Sequence, residues 1–466
     1  MDPIRELVAA LDAAREALDA AAAEKARLRQ RIAVLEQSLT ASQRAGKRQA
    51  APFSKGAPAR DPKQPGRRSG AEHGQHGHRQ VPDHVDEVVA VGLPELCPGC
   101  GGVVVEDSVA TQYQEELPEP RPVVTRFDMA VGHCQGCGRR VQGRHRRQVS
   151  DALGAAGVQL GPRAAAQAAS LHLEMGLSYG RTAEVMRSAT GMQVTRGGIV
   201  QAVARLGRRG EESYIALCDQ IAEAPVVTPD ETGWRVGGQS AWLWTVTDPR
   251  TTVYAIERGR GADVIGSLLG DGYAGVVVRD GWAPYRQLDN ARHQTCVAHL
   301  LRRCHELLEV ARGRGREIPR AVRALLSETL ELRDLRDAGR LDDEDLRIAT
   351  AALRVRLDAL LGRSAVRHHG NRTLLAHLRR ERDALFTFLE QPGIPATNWR
   401  AEQAIRPAVV NRKTWGGNRT WVGARTQETM MTLFRTLRQR GHDPLRALVD
   451  LLRHPAPRLM PALSPT

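Results

Sequence analysis

Residues Pro225–Trp234 read PVVTPDETGW, an apolar run that ends on Asp230 and Glu231. Ala241–Asp248 (AWLWTVTD) and Thr251–Gly259 (TTVYAIERG) follow with strand composition, joined by a tight Asp248-Pro249-Arg250 turn. A short helix, Ala262–Gly270 (ADVIGSLLG), leads to Gly275–Trp282 (GVVVRDGW), a buried-type strand that ends in Asp280. Three antiparallel strands, a helix and a further apolar strand make a mixed α/β sheet. Asp230 and Asp280, with 49 residues between them, are each expected at a strand terminus.

After a long helical stretch comes Asn398–Trp421, NWRAEQAIRPAVVNRKTWGGNRTW. Asn398 is a candidate cap for a helix whose first turns hold Glu402, with Pro407 kinking or ending it. Asp230, Asp280 and Glu402 would then meet as three acids in one place. Three negative charges brought together are strongly unfavourable unless cations hold them. Hard oxygen ligands suit Mg²⁺ or Mn²⁺, and two such ions about 4 Å apart clamp an in-line phosphoryl displacement. A strand-end aspartate is more commonly a turn former, and Asp248, Asp271 and Asp289 compete on spacing alone.

Around this centre the chain has 466 residues and a net charge of +14, from 67 Lys and Arg against 53 Asp and Glu. A hydrophobic fraction of 41% excludes wholesale disorder. No apolar run is long enough for a membrane span, and the acid-dotted start does not read as a signal peptide. A cytoplasmic, nucleoid-associated location is expected. Ile4, Leu7, Leu11, Ala14, Leu18, Ala21, Lys25, Leu28, Ile32, Leu35 and Leu39 alternate at steps of three and four, the pattern of a coiled coil and so of a homo-oligomer. Residues 44–80 carry nine Lys and Arg against two acids and almost no large apolar side chain, the composition of a disordered arm for phosphate contact.

Cys97-Pro-Gly-Cys100 and Cys134-Gln-Gly-Cys137 are separated by 33 residues, and four thiolates suit a closed, structural Zn²⁺ site. Between the pairs, residues 103–116 and 122–134 alternate as the strands of a zinc ribbon. Over 177–207 the apolar spacing is helical. A Thr190-Gly191 turn and a cap at Thr195 lay out a helix-turn-helix whose second helix carries Arg196 and Gln201 toward DNA. Beyond Glu402, Arg406, Arg412, Lys413 and Arg419 offer phosphate contacts, and Trp415 or Trp421 offers a stacking face. His293, Cys296, His299 and His305 are read as opening a helical stretch, with Arg302 and Arg303 toward DNA.

PDETGW, VVVRDGWAPYR, HQTCVAHLLRR and NWRAEQAIRPAVVNRKTW, in that order, resemble the insertion-sequence-sixty-six family of DDE transposases. The front half, with its zipper, basic linker and CPGCGG…CQGCG finger, is similar to the same family. The resemblance implies an α/β catalytic core of RNase-H-like type interrupted by a helical insertion at about 300–395. It implies Asp230, Asp280 and Glu402 as the DDE triad, with Glu231 a neighbour rather than a ligand. The stretch after Lys413 and Trp415 departs from the family pattern, which bears on the terminal contacts.

The expected organisation is a coiled coil (1–43), a basic linker (44–85), a zinc-ribbon finger (86–148) and a helix-turn-helix-like region (149–215). A catalytic domain (216–425) and a helical tail (426–466) complete it. The function implied is a transposase that binds double-stranded element ends and target DNA, cleaves a 3′ strand and transfers it, with small accessory proteins encoded beside it as further partners. The competing readings are a DNA-binding regulator with a dead core, an RNase-H-like nuclease that cuts without joining, and a zinc and coiled-coil scaffold.

Overall fold

A computed structural model of the chain describes residues 79–464, with 271, 455 and 457 excepted. The coiled-coil strip over 1–43 and nearly all of the linker lie outside the described residues. The chain divides between Glu115 and Glu116 into two units. In the first, residues 79–115 contain no helix and no strand ladder, only a single antiparallel bridge from Leu96 to Val103 around the Cys97–Cys100 turn.

The zinc-ribbon strands are therefore a correction. Nothing beyond that bridge forms over 103–116, and of the run 122–134 only Val131–His133 (β1) is a strand, antiparallel to Arg140–Gln142 (β2). Val105, Val109, Val123 and Val124 stand exposed. Alternation makes a strand only where a neighbour meets its N–H and C=O groups, and among the described residues the rest of these segments has no such neighbour.

In the second unit β1 and β2 are followed by three α-helices, Pro162–Leu173 (α1), Tyr179–Thr190 (α2) and Arg196–Ala222 (α3). Ser178 caps α2 by accepting from the Arg181 amide, and Thr195 caps α3 by accepting from the Gly198 amide at 3.1 Å. Between them Gly191 takes φ +67°, the left-handed conformation that stops α2. The expected helix, turn and cap are all present. The boundary expected at 215 is not, because α3 runs unbroken through it to Ala222.

The sheet follows as Val226–Val236 (β3), Gln239–Thr247 (β4), Thr252–Glu257 (β5), Val276–Arg279 (β6) and Arg292–Thr295 (β7), in spatial order β5-β4-β3-β6-β7. β3, β4 and β5 form an antiparallel meander, while β6 lies parallel to β3 and β7 parallel to β6. Gly237 and Gly238, both at positive φ, make the tight β3–β4 turn. In the β4–β5 turn Asp248 accepts from the Arg250 and Thr251 amides. The helix Ala262–Leu269 (α4) links the meander to β6.

From β7 the chain enters a helical block, Val297–Val310 (α5), Glu317–Asp337 (α6), Asp343–Leu361 (α7), His369–Glu381 (α8) and Thr387–Glu390 (α9). Its core of leucines, including Leu300, Leu325, Leu353 and Leu374, closes over Val276 and Val278 of β6. The block is thus welded to the sheet strand that precedes Asp280. Trp399–Trp415 (α10), Trp421–Gln439 (α11) and Pro444–Arg453 (α12) complete the unit.

α11 is part of this core, so a separate tail from 426 is a second correction: helix α11 spans that position. Where α3 crosses α11, a Cβ on Gly207 would press on Thr426 and one on Gly210 on Leu433, so the glycines permit the close approach. The side chains of α11 also close the exposed edge of the sheet. The amides of Thr252 and Tyr254 donate to the hydroxyls of Thr436 (3.1 Å) and Thr432 (3.0 Å), and that of Ile256 donates to Glu428. Every fourth helical residue meets every second strand residue because the two repeats, about 6.0 and 6.8 Å, nearly match. An edge strand satisfied this way offers no template for another chain. Thr436→Val keeps the shape but strands the Thr252 amide, and should lower stability by about 1–3 kcal/mol in thermal or urea unfolding.

Candidate active site

Asp230 lies in the middle of β3, not at its end as expected from the sequence. The end that matters is that of β6. Pairing of Val226 with Val276 and Val227 with Val277 carries forward to bring Asp280, the first residue after β6, level with Asp230. Alternation along β3 then sorts the acids. Asp230 shares a face with Thr232 and Trp234, while Glu231 points to the other.

α10 covers the Asp230 face. Ile405 and Ala408 of α10 are buried with Trp234, Leu243, Tyr254 and Ile256. The Tyr254 hydroxyl donates to the Ala404 carbonyl, and Arg412 donates to the Thr232 hydroxyl (3.0 Å) and the Gly233 carbonyl. So pinned, α10 presents Glu402 from its first turn on the side of the sheet that carries Asp230.

The charges register this arrangement. Burial, first, and then the carboxylates of Glu231, Asp280 and Glu402 push the Asp230 carboxyl up to about 8, against only one amide hydrogen bond, from Glu231, that favours its charge. Glu231 itself is compensated. It is buried on the opposite face, paired with Arg260 at 2.6 Å and accepting from the Tyr285 hydroxyl. Arg260 is held between the rings of Trp242 and Trp282, 4.5 and 3.7 Å from their centroids. One acid of the Asp230-Glu231 pair is neutralised and the other is left without a cation. Asp230, Asp280 and Glu402 share a field but not a coordination sphere: among the described residues no three acidic, histidine or cysteine side chains gather closely enough to hold an ion.

Asp280 is braced from behind by the helical block. Arg279 is 2% exposed and donates to Glu381 of α8 (2.7 Å, 0% exposed) and to the Asp280 carbonyl (3.0 Å). Glu381 also takes Arg286 at 2.8 Å and the Thr295 hydroxyl at 2.6 Å. A Cβ on Gly281 would run into the ring of His377, one turn before Glu381 on α8. The Asp280 carboxylate accepts from the Trp282 amide at 2.8 Å.

Several side chains differ from the sequence expectation. Asn398 precedes α10 but its side chain caps nothing, and its buried Oδ1 has no hydrogen-bond partner. Pro407 neither ends nor replaces α10, which runs on to Trp415; packing on the sheet outweighs the lost hydrogen bond. His299 was read only as opening a helix, yet its Nε2 stands 3.5 Å from Glu402 and its buried Nδ1 has no hydrogen-bond partner. The sequence held a signal for it in the Cys296-Val-Ala-His299 turn that follows β7. Of the residues expected to meet DNA, Arg196, Gln201, Arg406, Lys413 and Arg419 are exposed. Arg412 is tied to β3, and Trp415 stacks on His172 (4.7 Å) and meets Trp234 edge-on (5.8 Å).

The two cysteine turns have the same local build. In one, Cys97 donates to Gly102 O (2.9 Å) and accepts from Gly101 (2.8 Å). In the other, Cys134 donates to Arg139 O and accepts from Gly138 at the same distances. Gly101 at φ +75° and Gly138 at φ +69° make these turns possible. Amides of Gly99 and Cys100, and of Cys137 and Gly136, lower the Cys97 and Cys134 thiols. Each turn therefore favours thiolates, the form that binds a soft divalent ion.

Residues 157–426 match the family described as "Transposase IS66 family". The chain is also 26% identical, over 411 residues, to the uncharacterised protein y4qI of Sinorhizobium fredii, covering 79% of this chain and 72% of that protein. No helix among the described residues is long and apolar enough to cross a membrane.

The state of Asp230 has a measurable consequence. A carboxyl whose pKa rises on folding contributes stability below its unfolded value near 3.8 and loses it as pH climbs through about 8. Asp230→Asn escapes that loss. Its unfolding midpoint should exceed the wild type's by roughly 3 °C or more at pH 9, and the difference should vanish below pH 4. An unchanged difference across that range would show that Asp230 is not held neutral.

Proposed function

The chain belongs to the IS66 transposase family, and on that premise we propose that it cuts DNA at the ends of a mobile element and joins the cut strand to a target. The observation that carries the reading is the common field of Asp230, Asp280 and Glu402 on one side of the sheet, in which the Asp230 carboxyl meets acids and no cation among the described residues. We read the sheet as an RNase-H-like core, the antiparallel meander of β3–β5 extended by the parallel β6 and β7, and α5–α9 as its helical insertion.

Asp230, Asp280 and Glu402 would hold one or two Mg²⁺ or Mn²⁺ ions, which when bound supply charge neutralisation and an activated oxygen nucleophile. The donor chemistry fits, though the three side chains would have to draw closer: they are hard carboxylates, and burial first, then acidic neighbours, push that of Asp230 up to about 8. The protein's own groups set the geometry. Arg279 and Glu381 fix the backbone at Asp280, His299 stands 3.5 Å from one oxygen of Glu402, and Arg260 with Tyr285 keeps Glu231 on the far face. In the first step water attacks the phosphorus at the element end, and the bond to the 3′ oxygen breaks, leaving a 3′-hydroxyl. In the second that hydroxyl oxygen bonds to a target phosphorus while the target's own 3′ oxygen leaves with a proton.

DNA contact is assigned to Arg196 and Gln201 on α3 and to Arg406, Lys413 and Arg419 around α10. The cysteine turns are read as structural Zn²⁺ ligands, the zipper over 1–43 as the means of pairing two copies, and the location as the bacterial cytoplasm.

Asp230→Asn, Asp280→Asn and Glu402→Gln should each lose Mg²⁺-dependent cleavage of end-bearing DNA by more than the roughly 100-fold typical of outer-shell changes. All three should still shift that DNA in a gel. Full cleavage by any one removes that residue from the triad. Cleavage without joined product by the wild type reduces the protein to a nuclease, and no cleavage at all leaves a DNA-binding regulator.

A further inference from the structure

Resting on that reading of α10, we propose that the indole of Trp399 is the platform on which a base of the bound DNA strand stacks beside Glu402. Trp399 is the first residue of α10 and is 62% exposed, whereas the other six tryptophans are buried or half-buried. It has no ring or hydrogen-bond partner among the described residues.

The two tryptophans that the sequence offered as stackers are already occupied. Trp415 packs on His172 and Trp234, and Arg258 and Arg425 lie 5.3 and 5.8 Å from the ring of Trp421. Trp399 is the indole left with a free face. Its neighbours on the helix say what that face is for.

Trp399, Glu402, Arg406 and Lys413 fall at offsets of three, seven and fourteen residues, one stripe of an α-helix. The opposite stripe, Ala401, Ala404, Ile405 and Ala408, is buried against the sheet. The exposed stripe therefore carries an indole, the candidate metal-binding carboxylate and two exposed cations with no hydrogen-bond or ion-pair partner among the described residues. At 1.5 Å per residue the cations lie about 10 and 21 Å along the axis from Trp399. A protein or lipid surface has no use for this alternation, but a nucleic-acid strand does. Its phosphates meet Arg406 and Lys413, and its unpaired base covers the indole next to the carboxylate that would act on its phosphodiester.

The test is binding of the full-length protein, in EDTA, to a fluorescent thymidine oligomer of about 15 nucleotides and to an abasic oligomer of equal length and charge. The wild type should bind the base-bearing strand about tenfold or more tightly than the abasic one. Trp399→Ala should erase that preference without changing the salt dependence, and Trp399→Phe should restore most of it. Arg406→Ala with Lys413→Ala should weaken both strands and reduce the salt slope by about two charges, with the preference intact. A wild type without preference, or a Trp399→Ala variant that keeps it, overturns the proposal. Because the assay involves no cleavage, its outcome is separate from that of the triad. Cleavage by Asp280→Asn would sink the catalytic reading and leave the stacking result standing.

Discussion

The register between β3 and β6 is the constraint on which the site depends. Two ladder pairs, Val226 with Val276 and Val227 with Val277, bring Asp230 and Asp280 level on adjacent parallel strands. A slip of one residue would turn Asp280 to the face that Glu231 now occupies, because side chains alternate with a period of two. The slip is resisted from both sides of β6. Val277 is buried in the core beneath α4 and α3, and Val276 and Val278 are buried under the leucines of the helical block. A slip would also pull Arg279 away from Glu381, leaving two buried charges unmatched at the end of the strand.

The same alternation separates two acids that the sequence places side by side. Glu231 is drawn into a pocket of Arg260, Tyr285 and two indole rings, where its charge is met. Asp230 is left on the opposite face with acids for neighbours. A buried carboxylate normally acquires a cationic partner or a set of amide donors, because desolvation otherwise drives it neutral. Here an arginine partner exists, one residue along, and it serves the wrong acid. That asymmetry sets Asp230 apart from its neighbour in charge as well as in direction.

Much of this was legible in the sequence where local rules decide. The strands at 226–257, the short helix and the apolar strand before Asp280 follow from composition and period, and the Ser178, Gly191 and Thr195 punctuation of α2 and α3 follows from capping chemistry. What was not legible depends on partners distant in the chain. The valines over 103–124 have strand composition too, but beyond the Leu96–Val103 bridge nothing among the described residues pairs with them. Asn398 and Pro407 are standard boundary signals that packing overrides, and the fate of each tryptophan was decided by rings as far away as His172. The domain edges expected at 215 and 425 fall inside α3 and α11, since long helices that cross one another belong to one core.

The helical block between β7 and α10 is also more than an addition to the fold. Its Glu381 is fully buried and serves two arginines and a threonine, all of them on the strands and turn that flank Asp280. A buried acid so arranged is a poor source of stability, since desolvation offsets most of the attraction. It is a good source of position. Removing either arginine would leave charge unmatched, so the backbone at Asp280 is fixed by a penalty for every alternative. The ring of His377, one turn earlier on the same helix, crowds Gly281 and closes the remaining direction. The insertion thus reaches from outside the sheet to hold the one acid that lies beyond the last ladder hydrogen bonds of β6, where the sheet no longer determines the path of the chain.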